Sequence, residues 1–267
     1  MSDIKIFIAC HKACEVSSDP LYLPMQVGAA GKESIGFQRD DTGLNISEKN
    51  PLYCELTGLY WCWKNLTYSH LGLCHYRRYF AAEKGRKKNA SLADVLTLQE
   101  AEKLLQKYRV ILPKKRHYYI ETIYKHYSHT FSGEQLDQTR AILSEKYPEY
   151  VHAWDTVMNA TSAYVFNMFI MEKELADQYC AWLFDVLEEL EGRIRTEGMT
   201  PFEMRYIGRV SERLFNAWLI RQTETGKIRR EDMHEIPYVY FGKVDWPRKI
   251  YSFIMAKFFH KKYERSF

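Results

Sequence analysis

The run His75-Tyr76-Arg77-Arg78-Tyr79 sets two guanidiniums, an imidazole and two phenols side by side, directly after the apolar Leu71-Gly72-Leu73-Cys74. Arginine carries fixed N–H donors that match phosphate oxygens, so a short buried strand delivering this run would present a diphosphate-binding cluster. A solvated basic strand end has the same composition. Two acids could take a proton. Glu212 lies in Arg209-Val210-Ser211-Glu212-Arg213, where the flanking arginines can hold it ionised, although pairing on a helix surface gives the same pattern. Asp155 follows His152 and Trp154 at the end of an aromatic stretch. Asp40-Asp41-Thr42-Gly43-Leu44-Asn45-Ile46-Ser47 offers carboxylate, amide and hydroxyl groups suited to a polyol or ribose, and turn chemistry explains it equally well. Asn167, inside the apolar run 163–171, is an amide that must be hydrogen-bonded, either to a ligand or between strands.

Other chemistries find little purchase. The six cysteines are scattered without a paired C-x-x-C, so reduced thiols are expected, and Cys10-His11 with Cys14 reads as a strand ending in a loop rather than a metal site. A phosphoryl- or nucleotidyl-transferring enzyme could use the arginines, but the chain has no G-x-x-x-x-G-K-[ST] loop.

The elements that must position these residues follow from periodicity. Ile4 to Ala9 predicts a buried first strand opening a polar loop at Cys10-His11-Lys12, the usual start of an open α/β sheet with a ligand in its crevice. Residues 17–50 read as mostly loop, long enough to be functional. A helix is expected from Pro51 or Leu52 to Asn65, capped by Ser47 or Asn50, with Glu55 near its positive end. Further on come a helix from Thr97 to Tyr108 with Glu100 completing a capping box, a strand Arg109 to Pro113, a strand over 163–171, and helices Glu134 to Lys146, Lys173 to Gly192 and Phe202 to Gln222. The alternation predicts one α/β domain over 1–242, with a mostly parallel sheet and a helical C-terminal part.

Composition supports a folded chain. Of 267 residues 46% are hydrophobic and 15% aromatic, ample for one core. No apolar run is long enough to span a bilayer, and Met1-Ser2-Asp3-Ile4-Lys5 lacks the flank of a signal peptide, so a cytoplasmic protein is expected. The net charge of +4 is concentrated in residues 243–267, where Lys and Arg accompany Trp246, Phe253, Phe258 and Phe259. That make-up suits a helix lying in an anionic membrane interface, or one packed on its own domain or another subunit. The near-neutral remainder argues against broad contact with nucleic acid, and a non-catalytic glycan-binding module is the other class the aromatics would serve.

Asp41-Thr42-Gly43-x-Asn45-Ile46-Ser47, Cys54-Glu55-Leu56-Thr57-Gly58-Leu59-Tyr60-Trp61-x-Trp63, Gly72-x-x-His75-Tyr76-Arg77-Arg78-Tyr79, Asn167-Met168-Phe169 and Ser211-Glu212-Arg213-Leu214 follow one another in an order that resembles a bacterial family. That family is the domain of unknown function 4422, also classed as glycosyltransferase family 111. The resemblance covers roughly Lys5 to Gln222. It implies a GT-A-like fold and an inverting transferase moving β-galactofuranose from UDP-galactofuranose to a growing capsular, exopolysaccharide or O-antigen chain, with a transferase using another UDP-sugar as the alternative. GT-A enzymes usually carry an Asp-x-Asp after a central strand to hold a metal. Here His75-Tyr76-Arg77-Arg78 stands in that place, so metal-independent neutralisation of UDP is expected, with no cofactor. On the same resemblance Lys12, Gly28, Asp41 and Asn45 line the donor side, Trp61 and Trp63 support their helix from the core, and Glu212 ranks above Asp155 as base. The acceptor would be an oligosaccharide on a polyprenyl diphosphate, which would put residues 246–267 to work at the inner face of the membrane.

Overall fold

The structure, a computed structural model, describes residues 3–81 and 90–242. The basic aromatic segment 243–267 and the basic stretch 83–89 lie outside them. The strands are β1 (Ile4–Cys10), β2 (Tyr22–Gln26), β3 (Gln38–Arg39), β4 (His70–His75), β5 (Arg78–Phe80), β6 (Val110–Pro113), β7 (Arg116–His117), β8 (Ser162–Ala163), β9 (Phe169–Glu172), β10 (Met233–Ile236) and β11 (Tyr238–Tyr240). The helices are α1 (Asn50–Tyr53), α2 (Leu56–Asn65), α3 (Leu98–Leu105), α4 (Ile123–Thr130), α5 (Gly133–Lys146), α6 (Val151–Asn159), α7 (Lys173–Arg193) and α8 (Tyr206–Glu224).

The main sheet runs β10-β6-β9-β4-β1-β2-β3. β1 pairs in parallel with β4, Ile4 opposite His70 through Ala9 opposite His75, and with β2, Ile6 opposite Tyr22 through Cys10 opposite Gln26. Only β9 runs against both of its neighbours in this row, β4 and β6. The carboxyl ends of β1, β2, β4 and β6 therefore share one edge. β1 is apolar at nearly every position because it is buried on both faces. Phe7, Leu73 and Phe169 pack under α2, α7 and α8, while Ile6, Ile8 and Ile170 face the second core layer with Tyr79 and Phe80. Gly58 lets α2 lie against the sheet: a Cβ there would sit 2.9 Å from Phe7 and from Val27.

The expected single α/β domain with a mostly parallel sheet and a helical second half is what the chain forms. Four local expectations are corrected. Residues 17–50 hold β2 and β3 rather than loop alone. The helix expected over 51–65 breaks at Cys54, whose φ of 53° lies in the left-handed region. Neither Ser47 nor Asn50 caps it: Ser47 Oγ donates to Asp40 and Asn50 Nδ2 to the Cys54 carbonyl. The strand expected over 163–171 is interrupted by Phe166 and Asn167, both at positive φ, so that only β8 and β9 remain.

Candidate functional site

At the carboxyl end of β4 a tight hairpin places Tyr76 and Arg77 at the turn, with His75 paired to Arg78 across it. The Tyr76 ring gathers the cations around it. His11 meets it edge-on at 5.0 Å, the Arg77 guanidinium lies 5.1 Å from its centroid, and Lys12 Nζ 6.0 Å. His11 is held below its usual pKa by partial burial, then by the charges of Lys12, Arg205, Arg77 and Lys32. Lys12 and Arg77 thus meet at the ends of β1 and β4, and the charges of Arg205 and Lys32 are felt at the same imidazole. Such a cluster is stable only when exposed or when an anion shares it.

Behind the turn Arg78 is half-buried, its guanidinium stacked 4.2 Å from the Phe166 ring and 5.1 Å from Tyr240. Burial pushes its pKa down, against the opposing influence of Tyr240, Glu212, Tyr238 and Glu55. Across the opening, Arg205 just before α8 and Arg209 and Arg213 within it follow one another at four-residue spacing. Arg205 Nε donates to Cys54 Sγ at 3.3 Å. Arg209 is sandwiched between Phe131 (3.9 Å) and Phe202 (4.3 Å); burial lowers its pKa to about 10 and its Nη1 is a buried donor without a partner. Arg213, 7% exposed, donates from Nη1 to Glu212 Oε2 at 2.8 Å. Burial pushes the Cys54 thiol up to about 11, so it is protonated at neutral pH and is no nucleophile.

Two carboxylates reach this opening. Glu212 is one. Glu55, at the start of α2, is the other, and its Oε1 accepts from Asn167 Nδ2 at 2.9 Å. Asn167, 2% exposed, also donates to the Gly208 carbonyl at 3.2 Å and accepts from Ser211 Oγ at 3.1 Å. Its amide is thus committed to joining α2 and α8, and it acts on the opening by fixing Glu55.

The remaining predicted residues divide. Gly28 (φ +62°) turns the chain after β2, where a Cβ would strike Asn50 at 2.3 Å; its amide donates to Asp40. Asp41 is paired with Arg39 at 2.5 Å, and Asn45 ties its own turn to Gly43 and Ser47. Both line a shallow groove of about 470 Å³ with Ala30, Gly31 and Lys49. Asp155 is not brought to the cluster: Arg140 of α5 holds both its oxygens at 2.7 and 2.8 Å, in a groove between α4, α5 and α6. His11, Lys32, Glu55 and Arg205 escaped the sequence reading. The four-residue spacing of Arg205, Arg209 and Arg213 was the signal available for the last. Among the described residues no group of three His, Cys, Asp or Glu converges in an arrangement that could hold a metal ion.

An open, mostly parallel α/β sheet with cationic side chains at the carboxyl ends of its strands is the arrangement in which α/β domains commonly bind ligands. Residues 5–223 match the family described as "Domain of unknown function (DUF4422)", and the chain belongs to that family. It is similar to the solved structure titled "WbbM bifunctional glycosytransferase apo structure", at 29% identity and a TM-score of 0.83, over 91% of this chain and 46% of that one. The chain therefore spans about half the length of the solved protein it matches. No curated protein matches it significantly.

Proposed function

We propose that the protein is an inverting glycosyltransferase that moves β-galactofuranose from UDP-galactofuranose to an oligosaccharide on a polyprenyl diphosphate at the inner face of the membrane. The observation that carries the reading is the gathering of His11, Lys12 and Arg77 on the Tyr76 ring at the ends of β1 and β4. The similarity to a solved bifunctional glycosyltransferase supports it, and the donor sugar comes from the family resemblance. Departure of UDP develops negative charge on the diphosphate, and fixed guanidinium and ammonium donors stabilise that charge without reorganising. Lys12, Arg77 and Arg78 take this role, with His75 and Tyr76 beside them and no metal required. Gly28, Asp41 and Asn45 shape the groove after β2 for the nucleoside. Because the donor linkage is α, a β product needs one displacement and one base on the far side of the sugar. Glu212, hydrogen-bonded by Arg213, accepts the acceptor proton; Asn167 holds Glu55 against the same opening.

Hydrolysis of UDP-galactofuranose, UDP-galactopyranose and UDP-glucose, with and without chelator, tests this directly. Preferential turnover of the furanose donor that survives chelation is expected. Preference for another sugar would reassign the donor, loss of activity restored by Mn²⁺ would end the metal-free mechanism, and glycan binding without any turnover would make the protein a binding module. Glu212→Gln is expected to retain UDP binding and lose about a hundredfold or more in transfer.

A further inference from the structure

We propose that the segment from Lys114 to Ile120 is a membrane-contacting surface fitted to an anionic lipid bilayer. Among the described residues the large hydrophobic side chains left exposed are Leu44, Tyr119 and Ile120. Leu44 is tied back to Asn65 at the far end of α2, away from the cation cluster. Tyr119 and Ile120 are 84% and 69% exposed, adjacent in sequence, and preceded by Lys114, Lys115, Arg116 and His117. The pair is presented by a tight turn, with Tyr119 at φ +57° and Ile120 N donating to the Tyr118 carbonyl at 2.7 Å. The turn is anchored by Tyr118 N donating to Thr161 O at 2.8 Å and by pairing of β7 with β8. A non-glycine residue held in the left-handed region with its ring in solvent is a strained arrangement that packing inside the protein does not explain.

Along the segment itself the exposed charge has one sign. From Lys114 to Ser132 the sole acidic residue is Glu121, and it is 6% exposed, turned inward toward His126 and His129. An apolar wedge of one aromatic and one aliphatic residue, preceded by Lys114, Lys115 and Arg116, matches a bilayer interface with anionic headgroups: the wedge enters the acyl boundary while the cations stay at the phosphates, and the exposed carboxylates nearby are already bonded, Glu235 to Tyr164 and Asp137 to Tyr124. An acidic protein surface would satisfy the lysines but leave Ile120 without an apolar counterpart. The placement is also apt. The segment leaves the carboxyl end of β6, the same edge as the ends of β1 and β4, so a bilayer touching it would face the opening between Arg77 and α8. The surface does not depend on which sugar is transferred.

Full-length protein is mixed with vesicles of phosphatidylcholine, with and without phosphatidylglycerol, and the bound fraction is measured by flotation. Binding that requires phosphatidylglycerol and falls with salt is expected, reduced about tenfold or more by Lys114→Glu with Lys115→Glu and by Tyr119→Ser with Ile120→Ser. Leu44→Ser is expected to bind as the parent does. A Tyr119→Trp variant should shift its emission to the blue on those vesicles alone. Failure of the parent to bind, or parental binding by both double variants, overturns the proposal. So does unchanged partition together with weaker transfer to a water-soluble acceptor, which would make the segment a glycan platform. Donor hydrolysis measured on the same samples separates this result from the transferase reading, since vesicle binding by a protein that hydrolyses no UDP-sugar would leave the surface standing and the proposed function refuted.

Discussion

Two polar centres a short distance apart along the same sheet edge are built on opposite principles. Asp40, fully buried, accepts from the amides of Gly28 and Ala29 at 2.8 and 2.9 Å and from the hydroxyls of Ser47 and Thr57 at 2.5 and 2.6 Å. Its charge is saturated by neutral donors from the loop after β2, the loop after β3 and α2, so its work is to hold those three pieces together. The guanidiniums of Arg78 and Arg209 are the reverse: each stacks on aromatic rings, burial lowers the pKa of each, and neither bonds to a carboxylate among the described residues. Saturated charge marks a joint, and on the function proposed above the unsaturated charge is the part that would meet an anion.

Substitutions should separate the two. Asp40→Ala strands four buried donors and is expected to lower unfolding free energy by roughly 4 kcal/mol in urea titration, with donor affinity falling only as the fold is lost. A merely functional Asp40 would show the reverse. The excess of cations should next appear in acid stability. His126 is pushed down to about 4 by burial and by Arg213 and Arg116, against the pull of Glu121. Its folded pKa lies below the unfolded value of 6.5, so the stability it contributes is complete above pH 6.5 and lost as pH falls from there toward 4. The loss is up to roughly 3 kcal/mol, and His126→Gln should flatten the melting temperature across that window. Arg78→Met, at the unsaturated centre, is expected to leave stability within about 0.5 kcal/mol of the parent. It should still reduce donor turnover by about a hundredfold. A large loss of stability would mean that Arg78 is a joint after all. The smallest effect belongs to His11. Its depressed pKa means it gains charge only as pH falls, so affinity for the UDP-sugar should rise about threefold from neutral to mildly acid pH and lose that slope in His11→Asn. The UDP-sugar is the proper probe because the terminal phosphate of UDP titrates in the same range.

What could be read in the amino acids alone follows the strength of local signals. Thr97 and Glu100 announced α3 through a capping box that forms as expected, and β1, β4 and β6 were apolar enough to stand out. β2 was hidden because Tyr22-Leu23-Pro24-Met25-Gln26 carries a proline. The structure tolerates it because β3 pairs only with Met25 and Gln26, leaving Pro24 at an unpaired edge on that side. The His-Tyr-Arg-Arg run was visible because its members are contiguous. Glu55, Lys32 and Arg205 were not, because the long-range packing of α2, the loop after β2 and α8 brings them together, and no periodicity reports that. Asn167 was read as an amide bonded to a ligand or between strands, but its partners are Glu55 and α8.

His75 Nε2 lies 2.7 Å from the carbonyl oxygen of Phe166, a residue held at φ +72°. A carbonyl can only accept, so that nitrogen must carry the hydrogen, and the uncharged ring is left with a lone pair on Nδ1. The backbone kink before β9 thereby decides which tautomer the neutral imidazole presents at the end of β4.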